Sequence, residues 1–168
     1  MEILIFFNFY YNFNRNKGVI QMVDLIFFSS KTENYQMFSN FYPCKVKYRD
    51  EIFDSSEAAF QASKCWERVK DFIGISALES KQLGKRVKLR PDWEEVKDEI
   101  MYEVCLAKFC QNPDLRKTLL STGETVLVEK TNWHDRYWGI CTCGRCKSTG
   151  RNQLGKTLMR VRETLRRN

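Results

Sequence analysis

The chain has 168 residues, of which 43% are hydrophobic and 29% are charged. This length suits one domain with one core, and the composition excludes a disordered chain. The net charge of +7 is concentrated in residues 141–168, where eight Lys or Arg residues accompany one Glu. Such a segment either binds a partner that carries phosphate groups or forms a helix whose basic face is solvated.

Residues 1–22 are an apolar, asparagine-rich extension that fits neither a signal peptide nor a membrane span. Glu2 lies where a signal peptide carries basic residues, and asparagines interrupt the apolar run. We expect the domain to cover residues 23–168, with Met22 as the natural start and a poorly ordered or loosely packed extension before it. Seven cysteines without a secretory signal predict free thiols, a cytoplasmic location and no membrane association.

Hydrophobic patterning predicts a single α+β domain, mostly helical with a small β-sheet. The predicted strands are a buried run at 23–28, a hairpin over 44–53 that turns at Arg49 and Asp50, and a strand at 124–130. The predicted helices cover residues 54–65, one or two stretches within 69–87, residues 92–110 after Pro91, and residues 115–120. A last amphipathic helix carries the apolar stripe Leu154, Leu158, Val161 and Leu165. The long helix is expected to bury Val96, Ile100, Val104 and Ala107.

Residues 150–157, GRNQLGKT, match the phosphate-loop pattern G-x-x-x-x-G-K-[ST]. That loop requires a hydrophobic strand before it and further strands after it. Here CTCGRCKS precedes the match, and little more than one helix follows it. We therefore expect this stretch to form a helix and not the phosphate loop of a nucleoside triphosphatase. The start of that helix, beside Arg151 and Asn152, could still bind an anion.

Seven separated stretches together resemble the ordered motifs of the YbiA-like, or NADAR, superfamily. They are SNFYP (39–43), SSEAAFQASK (55–64), Trp93 with Met101, LAKFCQN (106–112), LLSTG (119–123), DRYWG (135–139) and GRNQLGKTLMRVRE (150–163). The resemblance spans Leu25 to Arg162 and implies the YbiA-like fold. It also implies an N-glycosidase that cleaves the C–N bond between a (phospho)ribosyl group and a base, such as a phosphoribosylamino-pyrimidine intermediate of riboflavin synthesis.

The resemblance leaves two alternatives open. Some members of the superfamily remove ADP-ribose from modified guanine, which makes nucleic acid carrying ADP-ribose an alternative to a phosphoribosyl or ADP-ribosyl small molecule. This chain also departs from the family motif S-x-E-H-A-Y-Q, because Ala58 and Phe60 replace the His and the Tyr, while Glu57 and Gln61 are retained. The loss of those two groups suits a binding module that holds ADP-ribose or a nucleotide without hydrolysing it.

Cleavage of an N-glycosidic bond builds positive charge on the ribose and negative charge on the departing base, so two acids in different environments are needed. On the resemblance, Glu57 is the predicted acid/base residue and Asp135 positions water or a ribose hydroxyl, and these two roles can be exchanged. No cofactor and no metal are expected. The predicted substrate contacts are Asn40, Lys64, Trp93, Trp138, Arg151 and Asn152.

Several of these residues also have an ordinary structural interpretation. Glu57 would complete a capping box with Asp54, and Asp135 would cap a turn. Trp93, close to Pro91, would anchor the long helix. The local sequence alone does not separate these roles from catalysis.

The cysteines fall into two groups. Four lie in apolar patterns and are expected to be small core residues: Cys44, Cys65, Cys105 and Cys110. The other three, in the pattern C-x-C-x-x-C, are Cys141, Cys143 and Cys146. A tetrahedral zinc needs a fourth ligand, which His134 or a distant cysteine would have to supply.

Overall fold

The computed structural model describes residues 11–14, 19–22 and 24–167. Strands β1 (Tyr11–Asn14) and β2 (Val19–Met22) pair as an antiparallel hairpin, so part of the expected extension has regular backbone structure. The remainder of that extension lies outside the described residues. No helix of the described segments combines the length and the apolar character that a membrane crossing requires.

From residue 24 onward the elements follow the predicted order, and the α+β assignment is confirmed. The strands are β3 (Leu25–Phe28), β4 (Pro43–Tyr48), β5 (Glu51–Ser55), β6 (Val126–Thr131), β7 (Ile140–Cys141) and β8 (Thr149–Gly150). The α-helices are α1 (Ser56–Ala62), α2 (Ala77–Gly84), α3 (Trp93–Gln111), α4 (Pro113–Ser121) and α5 (Gln153–Arg167). Two 3₁₀ segments cover Gln36–Phe38 and Trp66–Phe72.

The main sheet has four strands in the order β3-β6-β7-β8, while β4 and β5 form a separate hairpin. β3 and β6 are parallel, with Leu25 opposite Val126, and β6 and β7 are also parallel. Because parallel strands end at the same edge of a sheet, the segments that follow β3 and β6 emerge side by side. β7 and β8 were not predicted, since two residues carry too little hydrophobic pattern to be recognised.

Helix α3 packs against α5, β4, α1 and α4. Ile100 and Val104 are buried as predicted, whereas Val96 and Ala107 are only partly buried. The buried face is wider because neighbours contact the helix on several sides, and it also contains Trp93, Met101, Cys105, Lys108 and Phe109. The predicted apolar stripe of α5 is confirmed, because all four of its residues are buried in the core.

The segment that matches the phosphate-loop pattern has no such loop. β8 ends at Gly150, and α5 already begins at Gln153. A Cβ at Gly155 would lie 2.2 Å from the Leu127 carbonyl oxygen, so this glycine lets α5 approach β6 closely. Helix packing, rather than phosphate binding, accounts for the second glycine of the pattern.

The first group of cysteines is only partly in the core. Cys65 and Cys105 are buried, as expected. Cys44 is partly exposed and Cys110 is exposed, so the prediction for Cys110 is wrong. Cys110 lies on α3 at a position that its packed neighbours do not cover.

Candidate active site

A cavity of about 820 Å³ opens beyond the ends of the parallel strands β3 and β6. Its wall includes Ser30, shortly after β3, and Asp135, shortly after β6. Six of the eight predicted site residues line it: Asn40, Glu57, Lys64, Trp93, Asp135 and Trp138. Arg151 and Asn152 are not part of its described wall.

Glu57 enters the cavity from the first turn of α1. The N-cap of this helix is Ser55, whose hydroxyl accepts a hydrogen bond from the Ala58 N–H over 3.1 Å. The predicted cap at Asp54 is therefore wrong by one residue, and Asp54 instead pairs with Lys45 at the surface. The capping box is absent, and Glu57 is a buried residue, 6% exposed, that lines the cavity.

The environment of Glu57 shifts the pKa of its carboxyl group. Gln61 Nε2 donates a hydrogen bond to Glu57 Oε1 over 2.8 Å, and the Glu57 N–H donates to the Asn40 carbonyl over 3.0 Å. Burial raises the pKa of Glu57, whereas the positive charge of Lys81 and the hydrogen bond from Gln61 oppose that rise. Glu57 is thus a buried carboxyl group that a lysine charge and a hydrogen bond help to keep ionised.

Glu129 is a third carboxyl group in this cavity, and the sequence analysis missed it. It lies in β6 and is 9% exposed. Burial and the negative charges of Asp135 and Glu57 raise the pKa of Glu129 to about 8, although Lys81 opposes the rise. A signal was present in the sequence, because Glu129 interrupts the apolar run of a predicted strand.

Asp135 caps a turn and also lines the cavity. Its Oδ1 accepts hydrogen bonds from the N–H groups of Tyr137 and Trp138, over 3.0 and 2.9 Å. The Thr131 hydroxyl also donates to the Asp135 carbonyl over 2.9 Å. Asp135 therefore caps the turn after β6, and the same turn fixes its carboxylate in the cavity wall.

Aromatic rings form one side of the cavity. Phe60 lies between Trp93 and Trp138, with ring centroids 5.1 and 5.3 Å away. Phe60 occupies the Tyr position of the family motif, so the ring is kept and only the hydroxyl is lost. Ala58, at the His position, is completely buried and belongs to the hydrophobic core instead of the cavity wall.

Lysines contribute positive charge to the cavity. Lys64, Lys81, Lys85 and Lys97 all line it, and only Lys64 was predicted. Burial lowers the pKa of Lys64, and the nearby Glu57 opposes that change. The Lys81 ammonium lies 5.2 Å from the Phe41 ring centroid and 5.4 Å from that of Trp133. Lysine ammonium groups in a partly apolar cavity can bind a phosphate group of a ligand.

Asn40 presents an amide to the cavity and is 4% exposed. Its Oδ1 accepts a hydrogen bond from the Ser56 hydroxyl over 3.1 Å. Its Nδ2 contacts Met101 Sδ at 3.1 Å, and a thioether is a weak acceptor. An amide has two N–H donors, so Asn40 retains donor capacity for a ligand hydroxyl or base edge.

Arg151 and Asn152, both predicted substrate contacts, lie outside the described cavity wall and make contacts within the protein. Asn152 Oδ1 accepts from the Glu129 N–H over 3.0 Å, and its Nδ2 donates to the Leu127 carbonyl over 2.8 Å. Both polar ends of this buried side chain are therefore used by β6. Arg151 is exposed, and its guanidinium lies 5.3 Å from the Tyr137 ring centroid.

Comparison with known proteins identifies similar chains. Residues 26–166 match the NADAR domain family. An N-glycosidase of Nostoc punctiforme is 39% identical over 150 residues, which cover 84% of this chain and 92% of that protein. N-glycosidase YbiA of Escherichia coli is 38% identical over 146 residues, with 84% and 88% coverage. A riboflavin biosynthesis protein of Vibrio vulnificus is 34% identical over 145 residues, which cover 83% of this chain and 38% of the relative.

The fold comparison agrees with these matches. The NMR structure of Escherichia coli YbiA superimposes with a TM-score of 0.74 at 35% sequence identity. The superposition covers 92% of each chain.

Proposed function

Because the chain belongs to the NADAR domain family, we propose that it is an N-glycoside hydrolase that cleaves the C–N bond between a phosphoribosyl group and a base. Relatives that are similar over most of this chain carry the names N-glycosidase and riboflavin biosynthesis protein. Phosphoribosylamino-pyrimidine intermediates of riboflavin synthesis are therefore the first substrates to test.

The observation that carries this proposal is that Glu57, Glu129 and Asp135 line one cavity together with aromatic rings and lysines. Hydrolysis of an N-glycosidic bond needs a proton for the departing nitrogen and a carboxylate beside the positively charged ribose. A cavity that holds carboxyl groups in different environments can supply both.

We assign proton donation to Glu129. With a pKa of about 8, this carboxyl group keeps its proton at neutral pH. As the C–N bond breaks, its electron pair moves to the nitrogen, which receives the proton of Glu129. A water molecule then adds to the anomeric carbon and gives up a proton to the Glu57 carboxylate, while Asp135 orients that water or a ribose hydroxyl.

The remaining groups of the cavity suit the other parts of such a substrate. Lys81 and Lys85 supply charge for the phosphate, and Asn40 supplies donors for a ribose hydroxyl. Trp138 and the neighbouring Phe60 offer aromatic surface for the base and exclude water from the reacting atoms.

The two alternative functions receive less support. The missing His of the motif falls at Ala58, which is buried in the core, while Phe60 keeps the aromatic ring of the Tyr position against Trp138. Recognition of nucleic acid would depend on the basic segment, yet several of its arginines serve the fold. Arg162 is buried and donates to Thr122 and Thr125, and Arg160 and Arg166 form ion pairs with glutamates.

The test incubates the protein separately with a phosphoribosylamino-pyrimidine and with ADP-ribosylated DNA, and measures the released base or ADP-ribose. We expect turnover of the first substrate. Glu57→Gln should lower the rate by about 100-fold or more without unfolding the chain. The matched control is Glu95→Gln, on the exposed side of α3, which should retain full activity.

Each other outcome contradicts a specific part of the proposal. Release of ADP-ribose from the DNA, without turnover of the pyrimidine substrate, would favour the alternative in which the protein removes ADP-ribose from nucleic acid. Binding of either compound without product would favour the binding module. Full turnover by Glu57→Gln would refute the role assigned to that carboxylate.

A further inference from the structure

A group of four metal-ligating side chains lies beside the cavity, in the loops around β7. It consists of His134, Cys141, Cys143 and Cys146, and we refer to it as the Cys₃His cluster. One ligand atom from each residue lies within 4.8 Å of the ligand atoms of the other three. The fold thus supplies the fourth ligand that the C-x-C-x-x-C pattern lacked.

The two distances from the imidazole to the thiols are close to those of a tetrahedral zinc centre. His134 Nδ1 lies 3.3 Å from Cys143 Sγ and 3.4 Å from Cys146 Sγ. Zinc bonds of about 2.0 Å to nitrogen and about 2.3 Å to sulfur place those two ligand atoms about 3.5 Å apart in a tetrahedron. Only small side-chain adjustments would be needed to bring all four ligand atoms to a central ion.

The loop also has the local structure that a zinc–thiolate site uses. The Cys146 N–H donates to Cys143 Sγ over 3.4 Å, which orients that sulfur. All three cysteines are free thiols rather than disulfide partners. Zinc with three thiolates and one imidazole carries a net negative charge, which Arg145 and Lys147 of the same loop offset.

We propose that the Cys₃His cluster binds one Zn²⁺ ion as a structural site. Three thiolates and one imidazole at tetrahedral spacing favour zinc among the common divalent ions, since magnesium and calcium prefer oxygen ligands. All four positions are filled by protein groups, which leaves no open position for a catalytic water. The ion therefore takes no direct part in bond cleavage.

The proposed ion acts on the cavity through the chain around His134. Trp133 and Asp135, the two neighbours of His134, both line the cavity. His134 itself has a positive φ of 67°, in the left-handed region that asparagine, aspartate and histidine adopt more often than other non-glycine residues. A metal bond to its imidazole would fix this residue and with it the position of the Asp135 carboxylate.

The first experiment measures metal content directly. The full-length protein, expressed with zinc and purified without chelator, should contain one zinc per chain after gel filtration. Chelator-stripped protein, titrated anaerobically with CoCl₂ alone, should develop the visible bands of tetrahedral cobalt and the ultraviolet band of cobalt–thiolate bonds at one equivalent. These readouts are independent of the proposed hydrolase activity.

Variants assign the ligands. Cys143→Ser and His134→Asn should each weaken zinc binding by at least about 100-fold. Asparagine tolerates a positive φ, so His134→Asn removes the imidazole with little effect on the backbone. The matched control is Cys110→Ser, which removes an exposed cysteine outside the cluster and should leave one zinc bound.

The thermal unfolding of the same proteins completes the test. Chelation should lower the melting temperature of the parent and of Cys110→Ser, but not that of Cys143→Ser. Less than about one fifth of an equivalent of zinc in the parent, together with octahedral cobalt spectra, would overturn the proposal. Full zinc content in both cluster variants would overturn it equally.

Discussion

Gln61 links the carboxyl group of Glu57 to the packing of two helices. Its Nε2 donates to Glu57 Oε1 over 2.8 Å within α1, while its Oε1 is buried and has no partner among the described residues. That oxygen faces Gly84, the last residue of α2. The close contact between α1 and α2 thereby fixes the side chain that holds Glu57.

We predict that Gly84→Ala lowers kcat by about tenfold. A Cβ at this position would lie 1.9 Å from Gln61 Oε1, so the Gln61 side chain must move and its hydrogen bond to Glu57 is lost. In an ordinary helix the same substitution stabilises by up to about 1 kcal/mol. The measurement is steady-state hydrolysis together with thermal unfolding.

The control for this prediction is a double-mutant cycle with Gln61→Ala. If displacement of Gln61 is the cause, Gly84→Ala should have little further effect on kcat in the Gln61→Ala background. Additive losses in the double variant would contradict the proposed coupling between these residues.

We predict that hydrolysis declines at alkaline pH because Glu129 loses its proton. The groups that face Glu129 are Asp135 and Glu57, which raise its pKa together with burial, and Lys81, which opposes them. Above a pKa of about 8 the rate should fall about tenfold per pH unit. The alkaline limb should be absent from the pH–rate profile of Glu129→Gln, whose remaining activity should be low throughout.

The raised pKa of Glu129 also predicts that the free energy of unfolding depends on pH. Glu129 keeps its proton up to about pH 8 in the folded chain, whereas its ordinary pKa is 4.5. Between these values the folded state binds a proton that the unfolded state has lost. The free energy of unfolding should therefore decrease as the pH rises, by up to about 1.4 kcal/mol per unit from this residue.

Urea unfolding of the parent and of Glu129→Gln at several pH values between 5 and about 8 measures this contribution. The difference in unfolding free energy between the two proteins should shift in favour of the variant as the pH rises. A constant difference would mean that the pKa of Glu129 is not raised by folding.

Lys81 should influence both substrate binding and the alkaline limb of the pH–rate profile. We predict that Lys81→Met raises KM for a phosphorylated substrate by about tenfold or more, because a cavity charge for the phosphate is lost. The pKa of Glu129 should rise further, because the positive charge that opposes the rise is removed. The alkaline limb would then move to higher pH. Lys31→Met, outside the cavity wall, is the control.

The order of the elements could be predicted because it depends on local pattern. The stripe from Leu154 to Leu165 has helical spacing, and the hairpin turn falls at Arg49, where the structure has a positive φ of 54°. The two shortest strands could not be found in this way. They exist because β6 offers a free edge, and that edge is created by the tertiary fold.

Residues of the candidate site could be predicted only where they belong to a family motif. Glu57 and Asp135 came from the family resemblance, whereas Glu129 and Lys81 lie in stretches whose local pattern reads as strand and helix. Their role depends on the parallel pairing of β3 with β6 and on the packing of α2 against α1. Those contacts join segments far apart in the chain, which single-sequence patterns do not report.

We predict that Asn152 stabilises the fold and does not bind substrate. Asn152→Ala removes two hydrogen bonds to β6 and puts alanine at a φ of 53°, which should cost about 2–4 kcal/mol of unfolding free energy. Asn152→Gly loses the same bonds without the backbone strain and should be less destabilised than the alanine variant. Thermal unfolding and steady-state kinetics of both, with exposed Lys156→Ala as the control, separate the two roles. An unchanged melting temperature with a raised KM would contradict this prediction and favour the substrate contact that the resemblance implied for Asn152.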